Sequence, residues 1–207
     1  VARRPLTTRR LLGLDRSGPP PPETLSGQPL NPWTVPNGIG LTRLALVPVF
    51  LIVALSSDDG HSTAAFVLYA FIAGTDYLDG MTARITGQYS RLGTLLDPLT
   101  DRALVISGAI VAWSFDLLPR WALAVLAGRE LLMLVLTRVA FKRGIELQVK
   151  MLGRWAVWPT MAALSLALLT DGWVPEALLY FGLALTLGAT AEYLADGWRY
   201  LRPSSSS

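Results

Sequence analysis

Cysteine is absent from these 207 residues, and histidine occurs once, at His61. The first absence excludes disulfides, thiolate nucleophiles and thiolate-ligated zinc. The second leaves no histidine cluster to build a metal centre. Charge is also scarce: 16% of residues are charged, against about 25% in ordinary soluble domains. No compact basic domain or interleaving of basic and aromatic residues is present. Nucleic acid is therefore not an expected partner, despite a net charge of +3 and a pI near 9.5. The chemistry left to this chain must run on carboxylates, guanidinium and ammonium groups, and hydroxyls.

What is abundant is apolar sequence. Hydrophobic residues make up 52% of the chain, and the mean hydropathy is +0.42. Apolar segments fall at about 38–56, 62–86, 94–115, 119–141, 153–170 and 175–198, each near the ~20 residues that cross a bilayer. They are rich in Leu, Ala and Val with little period-2 alternation, which favours helices over barrel strands. The expected fold is an all-α integral membrane protein of six transmembrane helices, with a polar metal-binding cavity opening to the cytoplasm. The seven tryptophans read as interface anchors and core residues, Trp33 among the former.

Residues 1–32 carry Arg3, Arg4, Arg9, Arg10, Arg16 and the run Pro19 to Pro22, so a disordered basic tail is expected there, followed by one domain over 33–200 and a flexible tail over 201–207. No apolar run follows the first arginines directly, so this stretch does not read as a signal peptide. The first, third and fifth connections hold Asp58, Asp59, Asp116, Asp171 and Glu176. The second and fourth, with the C-terminal end, hold Arg84, Arg91, Lys142, Arg143, Lys150, Arg154, Arg199 and Arg202. By the positive-inside rule both termini are expected in the cytoplasm of a multi-pass protein of the cell membrane. Of these, Lys142, Arg143, Arg199 and Arg202 read as topology signals or contacts for anionic headgroups.

Four carboxylates interrupt the second and third apolar segments. Asp76 and Asp79 are three residues apart and Asp97 and Asp101 four apart, so each pair shares one helix face. Ionisable groups in apolar segments persist only when they meet a partner, an ion or a polar cavity. Two such pairs facing each other across a helix hairpin outline a binuclear site. Hard oxygen donors suit Mg²⁺ or Mn²⁺, and two such ions clamp a phosphodiester for in-line displacement. The alternatives are structural ion pairs or an ion relay in a transporter. Gly80, Ala83 and Gly93 flank the acids and let a ligand approach closely.

The pattern Asp76-x2-Asp79-Gly80-x2-Ala83-Arg84-x8-Gly93-x3-Asp97-x3-Asp101 resembles the signature of the CDP-alcohol phosphatidyltransferase family. The resemblance extends over about 33–200 and includes the segment Val35-Pro36-Asn37-Gly38-Ile39-Gly40-Leu41-Thr42-Arg43. It implies that Asp76, Asp79, Asp97 and Asp101 bind two metal ions, with Asp101 also the general base. It implies that Asn37, Gly40, Gly80, Ala83, Arg84, Ser90 and Gly93 face the lipid substrate, CDP-diacylglycerol. Gly40 stands where similar proteins often have Ser or Thr. The resemblance also implies a homodimer in the lipid bilayer.

The acceptor is expected to be read outside that signature. Arg129, Arg138, Lys150 and Arg154 form a cationic set suited to a phosphate-bearing alcohol. Arg129 and Glu130 read equally as an ion pair between packed helices. Arg129-Glu130 and Gly153-Arg154 resemble positions in members that use glycerol-type acceptors, glycerol 3-phosphate or phosphatidylglycerol. An inositol phosphate acceptor is the alternative.

Overall fold

The computed structural model describes residues 31, 33–142 and 151–201. The tail expected over 1–32 lies outside them apart from Asn31, as do Arg143, Lys150 and the chain from 202. Inside the helices, the side chains of Asp79, Arg84, Arg138 and Arg154 are also outside the description.

Among the described residues the secondary structure is helical: α1 Val35–Leu55, α2 Thr63–Thr86, α3 Arg91–Ser114, α4 Arg120–Lys142, α5 Met151–Ala167 and α6 Trp173–Leu201. These match the six apolar segments closely. The start of α1 shows the largest kind of difference, three residues, at 35 rather than 38. Its cause is local. The Thr34 side chain caps the helix by accepting from the Asn37 backbone N–H, and Pro36 sits in the first turn, where its missing N–H is harmless.

The expectation of six spanning helices around a metal cavity open to the cytoplasm does not hold. Among the described residues two helices are long and apolar enough to cross a bilayer, Val35–Leu55 and Trp173–Glu192, with Ala156–Ala167 a shorter apolar stretch. The reason is where the charges fall. α2 carries Asp76, Asp79 and Arg84 in its second half, α3 carries Arg91, Asp97, Asp101 and Arg102 in its first, and α4 carries Arg129 and Glu130 mid-helix. A charge at the centre of a spanning helix costs about 2.5–3.5 kcal/mol on insertion scales. The two long apolar helices fit a membrane-associated protein, and the exposed Val49, Ile52 and Leu55 on α1 suit lipid better than water.

The described chain divides into two compact units. The first comprises α1, α2 and α3 as far as Ser107. Its core holds Val47, Phe50 and Ala54 from α1, Ala65, Tyr69 and Ile72 from α2, and Leu96, Leu104 and Val105 from α3. Phe50 and Tyr69 meet edge to face, with ring centroids 5.1 Å apart, a favoured aromatic geometry.

The second unit comprises the 57–63 connection, the end of α3 from Gly108, and α4, α5 and α6. α6 packs along α5 and also touches α4. Gly182 makes the α5–α6 approach possible: a Cβ there would lie 2.9 Å from the Thr160 backbone nitrogen. Ser62 N–H donates to the Leu168 carbonyl at 2.8 Å and ties the 57–63 connection to the end of α5.

Candidate active site

The first unit holds most of the signature, and its centre is a residue that carried no role in the sequence reading. Arg43 lies about two turns into α1, and the helix contains no acidic residue to pair with it. Its partners therefore have to come from elsewhere in the fold. The guanidinium is buried, 1% exposed, and reaches groups on two other helices. Nη1 donates to Asp76 Oδ1 at 2.9 Å, Nη2 donates to Asp101 Oδ1 at 3.1 Å, and Nε donates to the Ile72 carbonyl at 3.1 Å. One planar fork thus joins α1, α2 and α3. Charge-assisted bonds of this kind are stronger than neutral ones, and the fork fixes direction as well as charge.

The two carboxylates differ from the guanidinium in exposure: Asp76 is 42% and Asp101 33% exposed. The acids reach the surface of the unit, and the cation lies beneath them. Asp97 stands one turn before Asp101 on α3 and is half-buried. Asp79, Gly80 and Arg84 lie on the α2 helix, with Ala83, half-buried, between them.

A second polar knot lies at the start of α1. Asn37 is 1% exposed. Its Oδ1 accepts from Ser90 Oγ at 2.7 Å, and its Nδ2 donates to the Asn31 carbonyl at 2.9 Å. Ser90 Oγ in turn accepts from Gly93 N–H at 3.0 Å. A Cβ at Gly93 would lie 3.0 Å from Asn37 Oδ1 and 3.2 Å from Ser90 Oγ, so glycine is what lets α3 begin here. The Val35 N–H, one of the unsatisfied donors of a helix start, donates to Gln88 Oε1 at 3.0 Å. Asn37, Ser90 and Gly93, which the resemblance places along the lipid substrate from two distant stretches of sequence, are thus hydrogen-bonded neighbours. Gly40 is buried against Leu96, whose side chain would lie 3.7 Å from an added Cβ.

The acceptor set is a different case. Arg129, in the second unit, donates from Nε to Thr190 Oγ1 at 3.1 Å and forms an ion pair with Glu130 through Nη1. Both side chains of the pair are about one-tenth exposed. Arg138 lies on α4 and Arg154 on α5.

A match to the family described as CDP-alcohol phosphatidyltransferase covers residues 33–188, three-quarters of the chain and all of the first unit's helices. The chain belongs to this family. It is 36% identical over 174 residues to a cardiolipin synthase (CMP-forming) of Streptomyces coelicolor, covering 81% of each chain. It is 30% identical to a CDP-diacylglycerol–glycerol-3-phosphate 3-phosphatidyltransferase of Bacillus subtilis, over 84% of this chain and 100% of the relative. A putative cardiolipin synthase of Mycobacterium tuberculosis is 32% identical over 78% of each chain. Phosphatidyl transfer from a CDP-activated lipid is the chemistry common to this phosphatidyltransferase and its relatives.

Phosphatidyltransferases of this family typically use divalent metal ions. The donors here fit a hard cation in kind: Asp76 and Asp101, from different helices, already converge on one positive group. The expected four-aspartate cavity is nevertheless not found among the described residues, which leave out the Asp79 side chain. Among the described residues no three His, Cys, Asp or Glu side chains come together as a metal site. Where Asp76 and Asp101 converge, the positive charge between them is the Arg43 guanidinium.

Proposed function

We propose that this phosphatidyltransferase moves the phosphatidyl group of CDP-diacylglycerol to the hydroxyl of a glycerol-type acceptor and releases CMP. Glycerol 3-phosphate would give phosphatidylglycerophosphate, and phosphatidylglycerol would give cardiolipin. The observation that carries the reading is the convergence of Asp76 and Asp101, from α2 and α3, on one buried cation inside the family-matched region.

In this reading Asp76, Asp79, Asp97 and Asp101 would hold two divalent ions, Mg²⁺ or Mn²⁺. When bound, such ions neutralise diphosphate oxygens and stabilise charge on a departing phosphate. The chain's own groups do the rest. Asn37, Gly40, Gly80, Ala83, Arg84, Ser90 and Gly93 line the CDP-lipid, with small residues admitting it and Arg84 meeting its phosphates. Asp101 takes the proton of the acceptor hydroxyl, whose oxygen attacks the lipid-side phosphorus. The bond from that phosphorus to CMP breaks, and CMP leaves with the electron pair. Positioning and electrostatics suffice, with no covalent enzyme intermediate.

Recognition of the acceptor is assigned to Arg129, Arg138, Lys150 and Arg154. The relatives named for cardiolipin and for glycerol 3-phosphate chemistry support a glycerol-type alcohol. The protein would work in the cell membrane as a multi-pass homodimer with both termini in the cytoplasm.

The test is direct. Detergent-solubilised protein is given CDP-diacylglycerol, Mg²⁺ or Mn²⁺, and glycerol 3-phosphate, phosphatidylglycerol or inositol phosphate in turn, and CMP release is measured. CMP with a glycerol-type acceptor is expected, and the lipid product identifies which. Release with inositol phosphate alone refutes the acceptor assignment; none with any acceptor refutes the activity.

A further inference from the structure

We propose that Arg43 is the resident counter-ion of the aspartate cluster: it holds Asp76 and Asp101 in place when no divalent ion is bound, and it weakens the binding of that ion. The inference rests on the divalent-ion reading proposed above.

Three observations support it. The first is charge. Two carboxylates brought together across α2 and α3 repel each other, and the single charged residue of α1 lies between them. The second is depth. The guanidinium is 1% exposed, whereas Asp76 and Asp101 are 42% and 33% exposed, so the acids keep an accessible side with the fixed cation behind them. The third is anchorage. Nε is committed to the Ile72 carbonyl at 3.1 Å, which holds the guanidinium in register with α2 while its other nitrogens serve the acids. The first unit can therefore keep its carboxylates together without bound metal.

An arriving divalent ion meets the same oxygens with a positive charge already beside them. Repulsion between charges scales with their product, so a doubly charged ion is penalised more than a monovalent one. The fork also orients the carboxylates, which helps any ligand. Repulsion outweighs this, because orienting two short side chains recovers little rotamer entropy. Arg43 is thus a positioning residue, and its signature is an affinity that improves when it is removed.

The experiment measures Mn²⁺ binding to the full detergent-solubilised chain by electron paramagnetic resonance, alongside thermal unfolding in EDTA and in Mn²⁺. Arg43→Gln should bind Mn²⁺ at least about fivefold more tightly than the wild type, a coupling of ordinary size between two sites. It should unfold at lower temperature in EDTA and recover more of that loss with Mn²⁺ than the wild type gains. Arg43→Lys keeps the charge but loses the fork. It provides the comparison if the Gln variant does not fold, and its Kd should fall at or slightly below the wild-type value.

Equal or weaker Mn²⁺ binding by Arg43→Gln, with the wild type binding, overturns the counter-ion role and leaves the proposed function standing. For an unfolded Gln variant, weaker binding by Arg43→Lys does the same. No Mn²⁺ binding by any of the proteins overturns the divalent-ion reading and the competition with it.

Discussion

Arg43, buried, and Arg129, about one-tenth exposed, are both arginines in apolar helices, and they solve the same problem in opposite ways. Arg129 pairs with Glu130, its neighbour in sequence, and adds a hydroxyl from Thr190. That pair is electrically neutral. Arg43 pairs with Asp76 and Asp101, 33 and 58 residues away, so carboxylates from two other helices share its positive charge. A local pair of opposite charges lowers the cost of burying each of them. A guanidinium shared by carboxylates of two other helices, both partly exposed, leaves acid surface that a further cation can approach. The difference explains why the first unit reads as the centre of the chemistry and why the Arg129 pair, by itself, does not.

The largest test of that contrast is Asp101→Asn. Turnover, followed as CMP release, should fall by about 10³-fold, the usual loss for a general base, while CDP-diacylglycerol binding changes little. Wild-type turnover in this variant would remove Asp101 from the proposed mechanism. In the second unit, Gly182→Ala forces a Cβ towards the Thr160 backbone. It should cost about 3 kcal/mol of unfolding free energy. Gly93→Ala presses instead on the side-chain oxygens of Asn37 and Ser90, which can yield, and should cost about 1 kcal/mol. Thermal unfolding of both variants checks the order.

Arg129→Met separates acceptor recognition from packing. If Arg129 reads the acceptor, its KM should rise about tenfold, equivalent to 1.4 kcal/mol, with the KM for CDP-diacylglycerol unchanged. A loss of stability with both KM values unchanged would make it a packing ion pair. The smallest effect is at Asp59, fully exposed in the connection before α2. Its carboxylate accepts the His61 backbone N–H at 2.9 Å, and that bond, chiefly, holds its pKa below the ordinary value of 3.8. A lowered folded-state pKa gives stability that is present above the unfolded value and lost as pH falls through the folded one. Asp59→Ala should therefore show a slightly flatter acid limb below about pH 4, read by acid titration of unfolding.

The six helices were legible because apolar runs and their breaks are local signals. The α2–α3 connection, with Gly87 at φ +66, fell where expected. Asn37, Ser90 and Gly93 were legible only through the family pattern, since nothing in their spacing shows that Ser90 reaches across 53 residues to Asn37. Length and mean apolarity suggest six spanning helices, but the charges clustered on α2, α3 and α4 leave two such helices among the described residues. Arg43 had no role in the expectations, although a lone cation in an apolar helix is the signal that would have pointed to a partner. Which partner was not visible.

The sequence by itself determined the helices, the carboxylate spacings on each helix face and the membership of a phosphatidyltransferase family, because these depend on residues near one another or on an ordered pattern. Only the tertiary structure decided that Asp76 and Asp101 share one guanidinium, that Arg129 is matched by Glu130 and Thr190, and that the site's carboxylates lie above a buried cation. Those pairings join different helices or depend on side-chain direction. A buried charge takes the partner that the fold brings within reach, and one-dimensional spacing does not specify which partner that is.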